Sequence, residues 1–416
     1  MDASDEAALR EKATNHNDGS VATDKKEDDI LEACRWRDLD ALRVLAESPG
    51  GFLKDSIRQK AWPVLLGLPS AEDGNEPYTA QDDGSWKELP RHRDEDQVQL
   101  DVNRAFIYYP HHQNEAELEQ QKAELSALIV EVLRRYPYLC YFQGYHDICQ
   151  VLLLVLPTPL RAPAVARLSA LRIRDFMLPS LAPAIAQLRL IPDILRAADP
   201  ALWRHLSSTE PFFALSGTLT MYAHDITTLG EIARLFDVLL AREPVFSVYM
   251  FAAIVRGRRA ELFDTPRDEP EMLHSILSKL PRPLDLDALI ADTRALLDAY
   301  PPERLRGARG SPSSSSWRHT ISPASVLKTA RDPRACAAQS MADGRAFFDR
   351  QVRELQWLER RDQAIALLRR YRRPAARTLG VAVLVAVLAI ALRRSPPGGP
   401  TGPLGYLSTL LTRWFR

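Results

Sequence analysis

Two short polar segments carry the residue types that could do chemistry: Val98-Gln-Leu-Asp101-Val-Asn-Arg104 and Tyr141-Phe-Gln143-Gly144-Tyr-His-Asp147. A guanidinium such as that of Arg104 stabilises negative charge developing in a transition state. A carboxamide such as that of Gln143 both donates and accepts hydrogen bonds without adding charge, which suits it to orienting a water. Asp101 lies three residues before Arg104, on the same helical face, where its carboxylate can brace the guanidinium. Taken singly, Arg104 reads as a solvated surface arginine and Gln143 as an ordinary turn residue. No self-contained active site competes with them, because the chain has no G-x-x-x-x-G-K-[ST], no G-x-S-x-G and no H-E-x-x-H. The histidines include no pair at metal-ligand helical spacing; His111 and His112 are neighbours and point to different sides of a helix.

The two segments resemble the I-x-x-D-x-x-R and Y-x-Q-G motifs of the TBC-domain family of Rab GTPase-activating proteins. Upstream, Arg58-Gln-Lys-Ala-Trp62-Pro-Val-Leu-Leu66-Gly67 is similar to the R-x-x-x-W-x-x-L-L-G signature that opens that domain. Phe212-Phe-Ala-Leu-Ser216 and Leu235-Phe-Asp237-Val-Leu-Leu240 are similar to its later patterns. They match more loosely, since Gly217 follows where the family carries an aromatic residue and Leu235-Phe236 stands where it often has Ile-Trp. The resemblance covers about Ile30 to Tyr300. It implies an all-α, V-shaped domain with a groove for a Rab-family GTPase in its GTP form, and no cofactor of its own, GTP and magnesium being held by the partner. It also implies roles for single residues. Arg104 is the finger that meets charge spreading over the transferred phosphoryl group, and Gln143 orients the attacking water in place of the GTPase's own glutamine. Gly144 lets the backbone approach the partner, Asp101 supports Arg104, Tyr141 packs beneath the glutamine turn, and Arg58 with Trp62 ties the first helix to the domain. The alternative is a TBC fold that binds or tethers Rabs without catalysing hydrolysis.

Helices must position these residues. Apolar residues spaced for helical turns begin the folded region at Ile30 to Leu45 and again at Arg58 to Leu66. Asp73 to Arg93 is rich in Gly, Pro, Asp and Glu and reads as a surface loop. After Pro110, Leu118, Leu125, Leu128, Ile129, Val132, Leu133 and Tyr136 recur at intervals of three, four and seven, predicting a long helix that ends at Pro137. His146 to Leu156 is apolar almost throughout, too short to span a bilayer, and predicts a buried central helix. Phe236 to Val255 is apolar too, but Arg242, Glu243 and Pro244 in its middle make it core rather than membrane. No run alternates as a strand does.

Composition sets the surroundings. Lys plus Arg equals Asp plus Glu at 54 each, so no global field draws nucleic acid. Four cysteines without a Cys-x-x-Cys pair fit a reducing compartment, and Cys140 and Cys149 beside Gln143 read as buried thiols. Residues 1–29 are expected as a disordered tail, 30–301 as the TBC domain, 302–345 as a flexible Ser/Pro/Arg-rich linker, and 346–377 as a basic juxtamembrane helix attracted to anionic lipid. Thr378 to Leu392 carries no charge and is flanked by arginines, predicting a transmembrane anchor, with residues 393–416 as a tail holding an interfacial helix. Its fifteen residues give ~22 Å of helix against a ~30 Å core, which favours the thin reticulum bilayer. Asp101-Val-Asn-Arg104 and Gln143-Gly-Tyr-His-Asp147 combined with this C-terminal anchor resemble the reticulum-anchored subgroup, implying an endoplasmic reticulum or early Golgi membrane, a cytosolic TBC domain and the Rab of reticulum-to-Golgi transport.

Overall fold

The computed structural model describes residues 23–69, 84–110, 114–307 and 315–394, with side chains as far as residue 367. Every regular element among the described residues is an α-helix or a short 3-10 turn. The all-α expectation therefore holds for the domain.

Local chemistry explains the boundaries. The long helix runs Glu115–Arg135 and opens on a capping box, in which Asn114 accepts from the Glu117 amide while the Glu117 carboxylate returns to the Asn114 amide. It stops two residues before Pro137, where a proline ring would collide with the preceding turn. The apolar segment after Gly144 forms Tyr145–Val155, which passes through the interior with nine of its residues buried. Phe236 to Val255 is split between two core helices, Leu229–Ala241 and Val245–Gly257. Between them the Arg242 guanidinium pairs with Glu47 at 2.9 Å and lies over the Phe246 ring. The second of these helices packs against Leu190–Ala198 and Leu286–Ala299 and closes the core.

One buried carboxylate joins the first and later halves of the domain. Asp237, fully buried on Leu229–Ala241, accepts from Arg58 Nε at 3.0 Å and Nη2 at 3.1 Å, from Trp62 Nε1 at 2.9 Å and from the Phe52 amide at 3.0 Å. Two of these donors form a bidentate guanidinium fork, so the helix Asp55–Leu65 is held in one orientation.

The expectation of a flexible linker over 302–345 is corrected where the chain is described. Three short helices, Ser316–His319, Val326–Thr329 and Pro333–Ala338, bury Trp317, Val326, Leu327, Ala330 and Cys336 against the domain. Arg174, with no exposed surface, donates to the carbonyls of Ala170 and Ala324, to Thr329 Oγ1 at 3.0 Å and to Gln351 Oε1 at 2.9 Å. Its neighbour Asp175 accepts from Ser325 Oγ, the Val326 amide and Gln351 Nε2. Composition misleads here because the segment is placed by more than its few apolar residues: its backbone and hydroxyl groups satisfy Arg174 and Asp175, two charges buried in the domain.

The compact unit ends at Val352, and the described residues from 353 to 394 belong to a second. The juxtamembrane and membrane helices expected over 346–377 and 378–392 are not separate elements, since one helix runs from Met341 to Arg394. Among the described residues no helix is long and apolar enough to cross a membrane. The transmembrane helix and the reticulum or Golgi membrane placement that followed from it are corrected accordingly. The physical weakness of that expectation was length, since fifteen uncharged residues fall short of a bilayer core. The side chains of 378–392, the tail from 395 and residues 1–22 lie outside the described residues.

Candidate functional site

Arg104 stands in the turn that follows the helix Glu95–Val102. Its amide donates to the Asp101 carbonyl at 3.0 Å, and its Nη2 donates to Asp101 Oδ1 at 2.9 Å while the side chain stays 66% exposed. Asp101 itself is buried. It also accepts from Gln97 Nε2 at 3.1 Å and, through Oδ2, from the Tyr141 hydroxyl at 2.9 Å. Burial and the adjacent Asp101 push the Tyr141 hydroxyl far above its ordinary pKa, so it stays a donor. The expected brace at i,i+3 is present, and it is shared with the segment that bears Gln143.

Gln143 is exposed, and its carboxamide has no hydrogen-bond partner among the described residues. The backbone before it is held by Asp94, whose Oδ2 accepts from the Tyr141 amide at 2.9 Å. The backbone after it turns through Gly144 at φ 95°, the left-handed cap of Tyr145–Val155. A Cβ on Gly144 would stand 2.6 Å from Thr220 Cγ2. The glycine is therefore required by packing inside the domain, a stronger reason than approach to a partner.

Arg104, Gln143 and Gly144 line a single open cleft of ≈ 560 Å³ together with the loop Ala105–Tyr109 and the turn Thr220–His224. The loop is fixed by a residue the motifs do not include. Gln150, buried on Tyr145–Val155, accepts from the Phe106 amide at 3.1 Å and donates to the Tyr109 carbonyl at 3.1 Å. Phe106 has φ 62°, a left-handed conformation costly for a residue with a side chain, and the Gln150 bonds hold it there. A carboxamide inside an otherwise apolar run was the sign that could have drawn attention to it.

A chain of polar groups reaches the cleft through His146, Asp147 and His224. The Tyr141 hydroxyl lies 3.3 Å from His146 Nδ1, His146 Nε2 lies 3.2 Å from Asp147 Oδ1, and Asp147 Oδ2 lies 3.0 Å from His224 Nδ1. Burial lowers the pKa of His146, whereas the hydrogen bond to Asp147 raises that of His224. Arg58 and Trp62 line no part of this cleft, being engaged with Asp237. Among the described residues no group of His, Cys, Asp and Glu could hold a metal ion.

Compared with known protein families, residues 55–263, half of the chain, match the Rab-GTPase-TBC domain. The chain belongs to the TBC-domain family. Its similarity to GTPase-activating protein gyp10 of Schizosaccharomyces pombe is 34% identity over 77% of this chain and 82% of that protein. TBC1 domain family member 20 of Homo sapiens is 35% identical over 64% of this chain and 65% of its own length. Among solved structures, the Ypt/Rab-GAP domain of Gyp1p superposes with a TM-score of 0.51 at 16% identity, covering 63% of this chain and 93% of that domain, which supports the fold. TBC domains act on Rab GTPases by supplying catalytic residues in trans, and carry no catalytic cofactor of their own. Membership of the TBC family as a whole replaces the membrane-anchored subgroup expected from the sequence. In this TBC chain the folded unit continues past the family match to Val352.

Proposed function

We propose that this TBC chain accelerates GTP hydrolysis by a Rab-family GTPase, with Arg104 and Gln143 entering the partner's nucleotide site together. The observation that supports it most is the cleft: the two side chains line one opening, both exposed, each on a backbone fixed from beneath. Arg104 would meet the negative charge on the transferred phosphoryl group, and its bond to Asp101 limits the freedom it must give up on insertion. Gln143, uncommitted within the chain, would hold the attacking water in line. The names of the relatives, GTPase-activating protein gyp10 among them, agree with this reading.

Single-turnover hydrolysis across a panel of purified Rabs tests it. Stimulation should fall by about 10³-fold or more in Arg104→Ala, the scale of an arginine finger in Ras-type enzymes. Binding to a Rab without stimulation by the wild type would make the chain a tethering module instead.

A further inference from the structure

Asp147 faces two histidines in the cleft, and the two differ. His146 is buried, with its ring nitrogens facing Tyr141 and Asp147. His224 is 61% exposed, its Nδ1 on Asp147 Oδ2 and its Nε2 without a partner among the described residues. We propose that His224 is a third partner-facing group of this cleft, one that binds an anionic oxygen of the docked GTPase. The inference rests on the reading of the cleft as a GTPase site.

Geometry carries it. The turn before His224 is strained, Met221 and Tyr222 taking φ 50° and 66°, where side chains are disfavoured. That strain is held by packing: Tyr222 is buried, donates to the Ser247 carbonyl at 2.7 Å and stacks on Phe251. Thr220, at the start of the same turn, presses on Gly144, so the turn is seated against the backbone that follows Gln143. A strained turn kept in this place by buried contacts fixes His224 beside the two fingers.

Burial and the neighbouring charges together separate the two histidines. The hydrogen bond to Asp147, with the charges of Asp147 and Asp225, favours protonated His224 against its partial burial; burial lowers the pKa of His146, His224 and Arg104 add to that, and Asp147 and Asp101 oppose it. Tyr109, on the loop across the cleft, stays protonated because burial raises its pKa. Protonated His224 keeps Nδ1 on Asp147 and offers Nε2–H to an anion. Because its pKa is raised, the charge is present at lower pH and is lost as pH climbs through that raised value.

Single-turnover hydrolysis by a responsive Rab, measured against rising concentrations of the full chain at pH 6 to 8, tests this. In His224→Gln the half-saturating concentration should rise by about tenfold, the order of one charge-assisted hydrogen bond, with the maximal rate within about twofold. Arg104→Ala should lower the maximal rate instead. Wild-type saturation should weaken from pH 6 toward pH 8, whereas His224→Arg should keep at pH 8 the saturation that the wild type shows at pH 6. Binding to the Rab in its GTP-analogue and GDP forms separates the sources of the anion. A loss in His224→Gln confined to the triphosphate form identifies the terminal phosphate, and an equal loss in both identifies an anion the two forms share, a carboxylate of the GTPase or an inner phosphate. Unaltered saturation of His224→Gln at every pH overturns this inference alone, whereas a wild type that stimulates no Rab removes the catalytic reading with it.

Discussion

The Tyr141 hydroxyl donates to Asp101 at 2.9 Å across forty residues of sequence, while the other oxygen of that carboxylate accepts from Arg104. One buried group thus ties the arginine to the segment that carries the glutamine. Tyr141→Phe removes a single donor from it. The expected outcome is a maximal stimulated rate lower by roughly two- to tenfold, since a net hydrogen bond is worth about 0.5–1.5 kcal/mol. Half-saturation should change little. Stopped-flow phosphate release reads both, and an unchanged rate would mean that Gln97 and Arg104 suffice to hold Asp101.

Gln150 stitches the loop after Arg104 to the helix after Gln143. In Gln150→Leu the Phe106 amide loses its partner, at a cost of about 1–3 kcal/mol for a buried polar group left unsatisfied. Urea unfolding should show that loss, and hydrogen exchange should show reduced protection at the Phe106 amide. A variant whose loop stays protected would show that the Tyr109 to Pro110 side of the loop is held by other means.

Gly144 allows both a left-handed turn and the approach of Thr220. Gly144→Ala adds a Cβ that meets Thr220 Cγ2, so stability should fall by about 1–3 kcal/mol, the cost of an overpacked site. Adding Thr220→Ser deletes the opposing methyl and should restore part of the loss, leaving the share due to the backbone. Thermal melting of the single and double variants separates the two; no recovery in the double variant would show that the φ angle accounts for everything.

A chain ended at residue 313 removes the acceptors and donors that Arg174 and Asp175 find in 315–352. Removing the partners of a buried charge typically costs about 3–5 kcal/mol, a large part of a domain's stability. Such a chain should melt far lower than one ended at Val352, although it contains the whole family match. Equal melting temperatures would restore the linker reading of that segment.

The residue types at Arg104 and Gln143, the helical character of the domain and the split of Phe236 to Val255 into core helices were all legible in the sequence. Each rests on short-range spacing: a motif, a 3.6-residue period, or charges and a proline inside an apolar run. Tertiary structure alone decided what those pieces meet. An almost wholly apolar run tells that Tyr145–Val155 is buried, but not that Gln150 would spend both ends of its carboxamide on the loop that follows Arg104. Nor does it tell that Thr220 would press on Gly144, or that Asp237 would gather Arg58, Trp62 and the Phe52 amide. The serine-rich segment makes the same point, because its composition is that of a linker while its place is set by Arg174 and Asp175, charges buried far away in sequence that require partners. Desolvation compels such groups to be paired, and only the folded chain determines with whom.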